Sequence, residues 1–541
     1  LGGTWHVNSY PGLAVDIPST TYSYSFEPNP WWSRLYAPGR ELKKYAEHVA
    51  DKYDLRRHMR FNATVASARF DERTHIWTLT LDSGESLRAR YVVLATGFLS
   101  QPKMPDINGI DEFEGKVIHT ARWDHDYDLA GKRAAVIGTG ATAVQLLPEI
   151  APKLAQLDVY QRTPIWVTPK LDSPIPAPLR QLFARLPLTQ RTARLASDRV
   201  LEAIMVKGVV DARNLKLVNR TVESLCKAHL KRQVKDPAVR RKLTPQYTFG
   251  CKRPTFSNRY YPTFNRDNVA LITDGISRIE ADGIVGRAGA KREIDTLILA
   301  TGFSLWEENF PAFQVVGRQG KDLGAWWRET RFQSYEGISL PGFPNLFSIP
   351  TPYGYNGLSF FSTIEAQMAH MARCLGEMQR RGAVSFEVTQ QACDEFTRDM
   401  RRRVGQSVFV KGQCASANSY YFNPHGEAVL LRPTSTADAL RQAQRFGFFG
   451  DRAIDEAVAH AEQYVPVIGD RSGRLLDLGS GGGLPGLVVA DARPDLEIVL
   501  LDRRQKRTDF LERAVRRLGF EQVSVACRDA EEVVRAVDDG V

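Results

Sequence analysis

Residues 134–150 read AAVIGTGATAVQLLPEI: an apolar run, then Gly138-Thr139-Gly140-Ala141-Thr142-Ala143, then a segment with helical spacing. The order is strand, G-x-G-x-x-A turn, helix. Glycines permit a tight turn and close backbone approach, and the first helical turn offers N–H groups to a pyrophosphate. Alone, the pattern is weak. Two flanking stretches strengthen it. Residues 89–98 (ARYVVLATGF) and 294–303 (IDTLILATGF) are β-branched apolar runs that each end in Ala-Thr-Gly. They read as strands buried in a parallel sheet. The expected fold class is α/β, with a dinucleotide-binding unit lying between the two runs.

The next strand, residues 157–164 (LDVYQRTP), ends at Arg162-Thr163. An acidic residue here accepts from the ribose hydroxyls of NAD. A guanidinium pairs with a phosphate instead. Arg162 and Thr163 therefore favour NADPH, the plainer alternative being a surface arginine. Residues 172–245 carry several prolines and then basic, helix-prone segments. That stretch reads as a helical insert, and it lacks the interleaved aromatics of a nucleic-acid platform.

Composition sets outer limits. A chain of 541 residues allows three or four domains at about 150 residues each. No apolar run reaches the roughly 18 residues that span a membrane, and no secretory pattern opens the chain. The six cysteines are scattered with no C-x-x-C pair, so no zinc site, no other metal and no disulfide framework is expected. Together these features point to the cytoplasm. Charge is uneven: from Phe448 onward 13 basic and 18 acidic residues give −5, leaving +15 elsewhere in a chain of net +10. A basic body suits an anionic dinucleotide as well as plain solvation.

Residues 113–124 read FEGKVIHTARWD and fit F-x-G-x-x-x-H-x-x-x-W-[P/D], fixing Phe113, Gly115, His119, Trp123 and Asp124. The pattern resembles the fingerprint of type I Baeyer–Villiger monooxygenases, and the resemblance extends over residues 1–447. It implies a flavoprotein with two dinucleotide-binding domains, using FAD, NADPH and O2 to insert one oxygen atom beside a ketone through a peroxyflavin. Which ketone is served, whether heteroatoms are also oxidised, and the oligomeric state are left open. The implied layout is an FAD domain from 1–128 and 290–447, with an NADPH domain inserted at 129–289.

Residues 1–16 (LGGTWHVNSYPGLAVD) resemble the family's segment that follows the second strand of the FAD domain. The G-x-G-x-x-G unit that precedes it there, roughly 40–50 residues by the size of a βαβ unit, is expected to be missing. FAD would then bind poorly. The resemblance assigns FAD contacts to Thr4, Trp5, Asp16, Thr96, Gly97 and Asn356. NADP contacts fall to Gly138, Thr139, Gly140, Thr142, Ala143, Arg162, Thr163 and Lys252.

Residues 249–269 (FGCKRPTFSNRYYPTFNRDNV) resemble the segment carrying the family's Lys-Arg pair, here Lys252 and Arg253. The chemistry explains the arginine. Negative charge develops on oxygen as the carbonyl is attacked, and a permanently protonated group must face it. By resemblance Arg253 is catalytic, Asp16 pairs with it, and Lys252 assists NADP. His119 is assigned a structural role and His125 none. Residues 350–367 resemble the loop and helix that face the flavin. Ser419, Tyr420 and Phe422 either line the substrate pocket or pack in the core.

From about Phe448 the text changes. Residues 474–486 (RLLDLGSGGGLPG) and 498–511 (IVLLDRRQKRTDFL) are a strand, a glycine turn, a helix and a strand ending in Asp502. This wording, with RDAEE at 528–532, resembles the small-subunit ribosomal RNA guanine-7-methyltransferases of the glucose-inhibited division protein B type. It implies a partial, Rossmann-like S-adenosylmethionine (SAM) domain over 448–541. Gly479, Gly481, Leu484, Asp502, Ala530 and Glu531 would line the SAM pocket, and nucleic acid is a partner only if this domain works. Ketone oxygenation and RNA methylation share no logic. A chimeric fragment without activity stands as the alternative to a bifunctional chain.

Overall fold

The computed structural model describes residues 1–202, 215–349, 351–355, 357, 359–434, 461–478, 480, 485–503 and 505–528. The chain divides into two compact units, Leu1–Ala439 and Leu440–Val541. The expected 129–289 span lies within the first unit, whereas the expected 290–447 span runs past its end, since the break falls ahead of Phe448.

Residues 1–128 supply two helices, α1 (Thr4–Val7) and α2 (Gly39–Lys52), and five strands. These strands are β1 (Val65–Asp71), β2 (Ile76–Leu81), β3 (Ser86–Ala89), β4 (Val92–Leu94) and β5 (Lys116–His119). Next come β6 (Arg133–Ile137), α3 (Ala141–Ile150), β7 (Gln156–Tyr160) and β8 (Val167–Thr168). The expected insert is helical, with α4 (Ala177–Arg185), α5 (Pro187–Leu201), α6 (Leu215–Gln233) and α7 (Pro237–Leu243). It is followed by β9 (Thr255–Phe256), α8 (Tyr260–Thr263), β10 (Val269–Ile272), β11 (Ile276–Glu280) and β12 (Gly283–Gly286). The chain returns through β13 (Lys291–Glu293), β14 (Thr296–Leu299), α9 (Leu305–Glu308), β15 (Gln314–Val316), α10 (Leu323–Glu329) and β16 (Leu346–Ser348). Helices α11 (Phe360–Arg380), α12 (Gln390–Val404) and α13 (Val408–Lys411) complete the described part of the unit.

The central sheet has the order β10-β7-β6-β14-β5, and every pairing in it is parallel. Parallel sheets are covered on both faces, so their strands are apolar throughout rather than alternating. Strand β6 obeys this, with Ala134, Ala135 and Val136 buried. Strands β5 and β14 lie outside the expected 129–289 span yet belong to this sheet. The two stretches running up to the fingerprint histidine and to the second Ala-Thr-Gly therefore complete the nucleotide sheet themselves. Helix α3 packs on it through Val144, Leu146, Leu147 and Ile150, all fully buried, each worth about 1.5–3 kcal/mol by area.

Strand β4, which precedes the first Ala-Thr-Gly, pairs in parallel with β16. A separate sheet, β15-β1-β2-β3, stands behind it. The largest core cluster of the unit fills the space between, with Trp77, Trp306, Trp327, Phe332 and Phe343 buried in it. Cys251 and Cys414, 163 residues apart, form a disulfide. This corrects the expectation of no disulfide: spacing along the chain does not reveal two cysteines that folding makes neighbours.

The second unit contains α14 (Tyr464–Ile468), β17 (Arg474–Leu478), α15 (Gly486–Ala492), β18 (Glu497–Leu501), α16 (Gln505–Leu518) and β19 (Val523–Ala526). Its three strands pair in parallel in sequence order. Leu496, Ile498, Leu500, Leu511 and Val515 form its core.

Candidate active site

The site is built around Arg253. Its guanidinium reaches Asp16 through two hydrogen bonds of 2.9 Å, from Nε and from Nη2 to separate carboxylate oxygens. Nη1 donates to the Tyr355 hydroxyl at 3.3 Å. Burial works to strip the charge from Arg253, but Asp16 overrides it and raises the pKa well above the ordinary value. The side chains of Arg253 and Asp16 remain 25% and 28% exposed, so the pair can still meet a small molecule.

The surroundings are aromatic. Tyr355 stacks obliquely with Phe98 and Phe360, at 6.1 and 5.5 Å between ring centres. Tyr420 and Tyr421 lie near enough to feel the guanidinium electrostatically. The Tyr420 carbonyl is held by the Trp306 indole N–H at 3.0 Å. Tyr355 is fixed from behind, because Arg432 N–H donates to its carbonyl at 2.6 Å and Arg432 pairs with Glu336 in a buried salt bridge. Tyr355, Tyr421 and the Arg432–Glu336 anchor were not foreseen. Tyr355 lies inside the quoted 350–367 segment and Tyr421 beside Tyr420, but no signal in the sequence marks the Arg432–Glu336 anchor.

Lys252 points elsewhere. Burial, and then the nearby Arg162 charge, lowers its pKa to about 8. Among the described residues neither cation has an anionic partner. Arg162 is exposed at the end of β7. Thr163 is tied in on both sides: its carbonyl accepts from Thr139 at 3.1 Å and its hydroxyl from Asn418 at 2.8 Å.

The turn before α3 is shaped for close approach. Gly138 adopts φ +112°, and a Cβ there would strike the Ala300 carbonyl of the second Ala-Thr-Gly. No side chain caps α3, so the N–H groups of its first turn are left to an anion. Nothing lies within 4 Å of a Cβ built on Gly140. An uncapped helix start and two unneutralised cations suit a dinucleotide phosphate. The flavin side fits in the same sense. Gly97 has φ +72° and open space around it. Helix α11 also begins without a side-chain cap, since Ser359 gives its hydroxyl to the Thr21 carbonyl.

The hydrogen bonds of Arg253 go to Asp16 and Tyr355, and the fingerprint residues make theirs elsewhere. Phe113 is buried in a core cluster, and a Cβ on Gly115 would collide with its ring. Asp124 forms a salt bridge with Lys116 at 2.6 Å. Trp123 packs on the α3 core. His119 is buried; its Nδ1 accepts from the Ala121 N–H at 3.1 Å, and its Nε2 lies 3.4 Å from the Thr301 hydroxyl. Burial, and then Arg122, lowers its pKa. A neutral imidazole thus ties the fingerprint to the second Ala-Thr-Gly. His125 is exposed and meets Ser9. Thr4 is exposed, and Trp5 packs edge-on against Tyr22. Thr96 is exposed, and Ala143 is on the buried face of α3. Asn356 lies outside the described residues.

In the second unit Asp502 follows β18 and is buried. Gly479, Gly481, Leu484, Ala530 and Glu531 lie outside the described residues. Asp477, not foreseen, accepts from the Gly486 N–H at 3.1 Å, and burial raises its pKa. No helix among the described residues is long and apolar enough to cross a membrane.

Fold and site together define a two-dinucleotide-binding flavoprotein monooxygenase. A family profile described as pyridine nucleotide-disulphide oxidoreductase matches residues 12–187. The chain is 41% identical over 440 residues to a Baeyer–Villiger monooxygenase of Pseudomonas aeruginosa, covering 81% of each. The structure of an oxidised steroid monooxygenase bound to NADP matches with TM-score 0.73 at 32% identity, over 84% of this chain and 92% of that one. OTEMO in complex with FAD and NADP matches with TM-score 0.72 at 28% identity, over 84% and 92%. The chain belongs to the Baeyer–Villiger monooxygenase family, whose members use FAD and NADPH to insert an oxygen atom beside a ketone carbonyl. Residues 440–539 separately match a profile described as rRNA small subunit methyltransferase G.

Proposed function

We propose that residues 1–439 oxygenate a small ketone at the face of Arg253, with NADPH held between α3 and the Lys252–Arg162 pair. Bound FAD, once reduced by NADPH, would activate O2, with one oxygen atom going to the ketone and the other leaving as water. The rest is the chain's own work. Arg253 offers a fixed positive charge to the oxyanion that grows on the substrate carbonyl, where a preorganised donor lowers the barrier. Asp16 fixes the plane of the guanidinium and keeps it charged. Tyr355 holds the third edge. The aromatic walls exclude water and accept an apolar ketone. The observation that carries this reading is the two-bond grip of Asp16 on a half-buried Arg253 beside Tyr355.

By the same reading Thr4, Trp5, Asp16, Thr96, Gly97 and Asn356 contact FAD. Gly138, Thr139, Gly140, Thr142, Ala143, Arg162, Thr163 and Lys252 contact NADPH. Phe113, Gly115, His119, Trp123 and Asp124 set the joint between the two domains. A cytoplasmic location belongs to the same reading, although the Cys251–Cys414 disulfide runs against the reducing compartment it assumes. The decisive test is Arg253→Ala, assayed for ester or lactone against NADPH consumption. Parent-level product would refute the role.

A second reading concerns the other unit. Its parallel strands, the buried Asp502 after β18 and the profile match favour binding of SAM, for methyl transfer to a guanine of ribosomal RNA. Asp502 would accept from the ribose hydroxyls, with Gly479, Gly481, Leu484, Ala530 and Glu531 around the rest. Calorimetric titration of the full chain with SAM, and of Asp502→Ala, tests it. Equal heats from both would end it.

A further inference from the structure

We propose that Gln145 is a positioning residue that carries the state of the NADP site to Asp16. The inference rests on the reading just given, in which α3 receives NADP and Asp16 orients Arg253. Gln145 lies one turn into α3. Its amide grips the loop before Asp16: Nε2 donates to the Ala14 carbonyl at 2.9 Å, and Oε1 accepts from the Ala14 N–H at 3.4 Å. Oε1 also accepts from the Tyr10 hydroxyl at 2.9 Å. Tyr10 is buried in the α3 core, with the Thr142 side chain beside its hydroxyl.

Shape adds to the grip. Gly12, at φ +83°, presses so closely on α3 that a Cβ would collide with the Gln145 carbonyl and come within 2.9 Å of Glu149 Cγ. The segment Tyr10–Ala14 is therefore docked on α3 by one side chain, one buried phenol and one glycine contact. Two residues further on stands Asp16. The Val15 N–H donates to Ala37 and the Gly39 N–H to Leu13, so the segment is also tied to the start of α2.

The physical chain is short. An anion at the start of α3 acts on the first-turn N–H groups and on Thr142. Thr142 touches Tyr10, Tyr10 and Ala14 share the Gln145 amide, and Ala14 leads to Asp16. Any shift of α3 on binding is transmitted to the carboxylate that orients Arg253. A loop held only by apolar contact would not follow so directly, because hydrogen bonds fix register and packing alone does not.

Hydrogen–deuterium exchange of the full chain, with NADP+ as probe, tests this without turnover. The Ala14 amide is the reporter, since its proton is given to Gln145. In the parent, saturating NADP+ should slow its exchange about tenfold, within the usual range for coupled sites. In Gln145→Leu, NADP+ should still bind by calorimetry but leave Ala14 exchange unchanged. Tyr10→Phe keeps the packing and removes one bond, so it should lose part of the effect. It carries the test if Gln145→Leu does not fold. Equal NADP+-linked slowing in parent and both variants overturns the proposal. A parent that binds no NADP+ overturns the dinucleotide reading beneath it.

Discussion

Lys252 stands beside Arg162, and among the described residues no carboxylate neutralises either of them. Burial and that neighbour bring the Lys252 pKa down to about 8. Two neighbouring cations repel each other, and on the proposed reading a bound phosphate would relieve that cost.

The pH dependence of NADP binding follows. If, as proposed, charged Lys252 meets the 2′-phosphate, binding should raise its pKa and take up a proton near pH 8. Affinity should be highest below pH 8 and fall by up to about tenfold per unit above it. Calorimetry from pH 7 to 9.5 in buffers of different ionisation enthalpy reads both effects. Lys252→Ala should flatten the profile, and affinity that rises with pH would contradict the assignment.

Arg162→Ala should cost NADPH about 1.5–3 kcal/mol, one charge-assisted hydrogen bond, and leave NADH almost untouched. The ratio of NADPH to NADH affinity should then drop roughly ten- to a hundredfold. An unchanged ratio would place the phosphate elsewhere.

Arg253→Ala should slow oxygenation by about 100- to 1,000-fold while NADPH is still oxidised, with peroxide released in place of ester. Asp16→Asn should show the same pattern more weakly. It keeps one acceptor for the guanidinium but removes the charge that holds Arg253 protonated against burial. Loss of NADPH binding in either variant, with product per NADPH unchanged, would point to a structural role.

The Cys251–Cys414 link closes a loop of 163 residues. Loop-closure entropy gives such a link about 2–5 kcal/mol. Cys414→Ser, or reduction of the parent, should lower the melting temperature of the monooxygenase unit by several degrees. Cys527 is exposed and free, so Cys527→Ser should change nothing. Equal melting of oxidised and reduced protein would mean that the bond contributes no stability.

What the sequence disclosed and what it withheld divide along physical lines. The turn at Gly138–Ala143 and the strand runs at 92–94 and 296–299 were legible because glycine placement and apolar continuity are local properties. The Asp16–Arg253 pair was legible only through resemblance. Nothing local links residues 237 positions apart. Tyr355 and the Arg432–Glu336 anchor stayed hidden for the same reason, since each is made by segments that meet only after folding. The disulfide is the sharpest case. Its two cysteines look solitary in the text, and only the meeting of residues 249–253 with 412–418 pairs them. Strands β5 and β14 read as parts of the flavin side, yet their hydrogen bonds go to the nucleotide sheet. An apolar run announces a buried strand and is silent on which sheet will bury it.

That last arrangement bears on how the molecule is assembled. Among the described residues strand β5, which carries the fingerprint histidine, has β14 as its one neighbour in the sheet, and Thr120 reaches the Leu299 carbonyl across 179 residues. During synthesis β5 emerges early and has no partner until β14 leaves the ribosome. Pairings of such sequence separation are slow to form, because loop closure is unfavourable until the contact is made. The sheet edge that carries the fingerprint is thus among the last parts of this unit to set. A nascent chain halted before residue 296 would have β6, β7 and β10 available to pair but an orphaned fingerprint. It would be the natural prey of proteases.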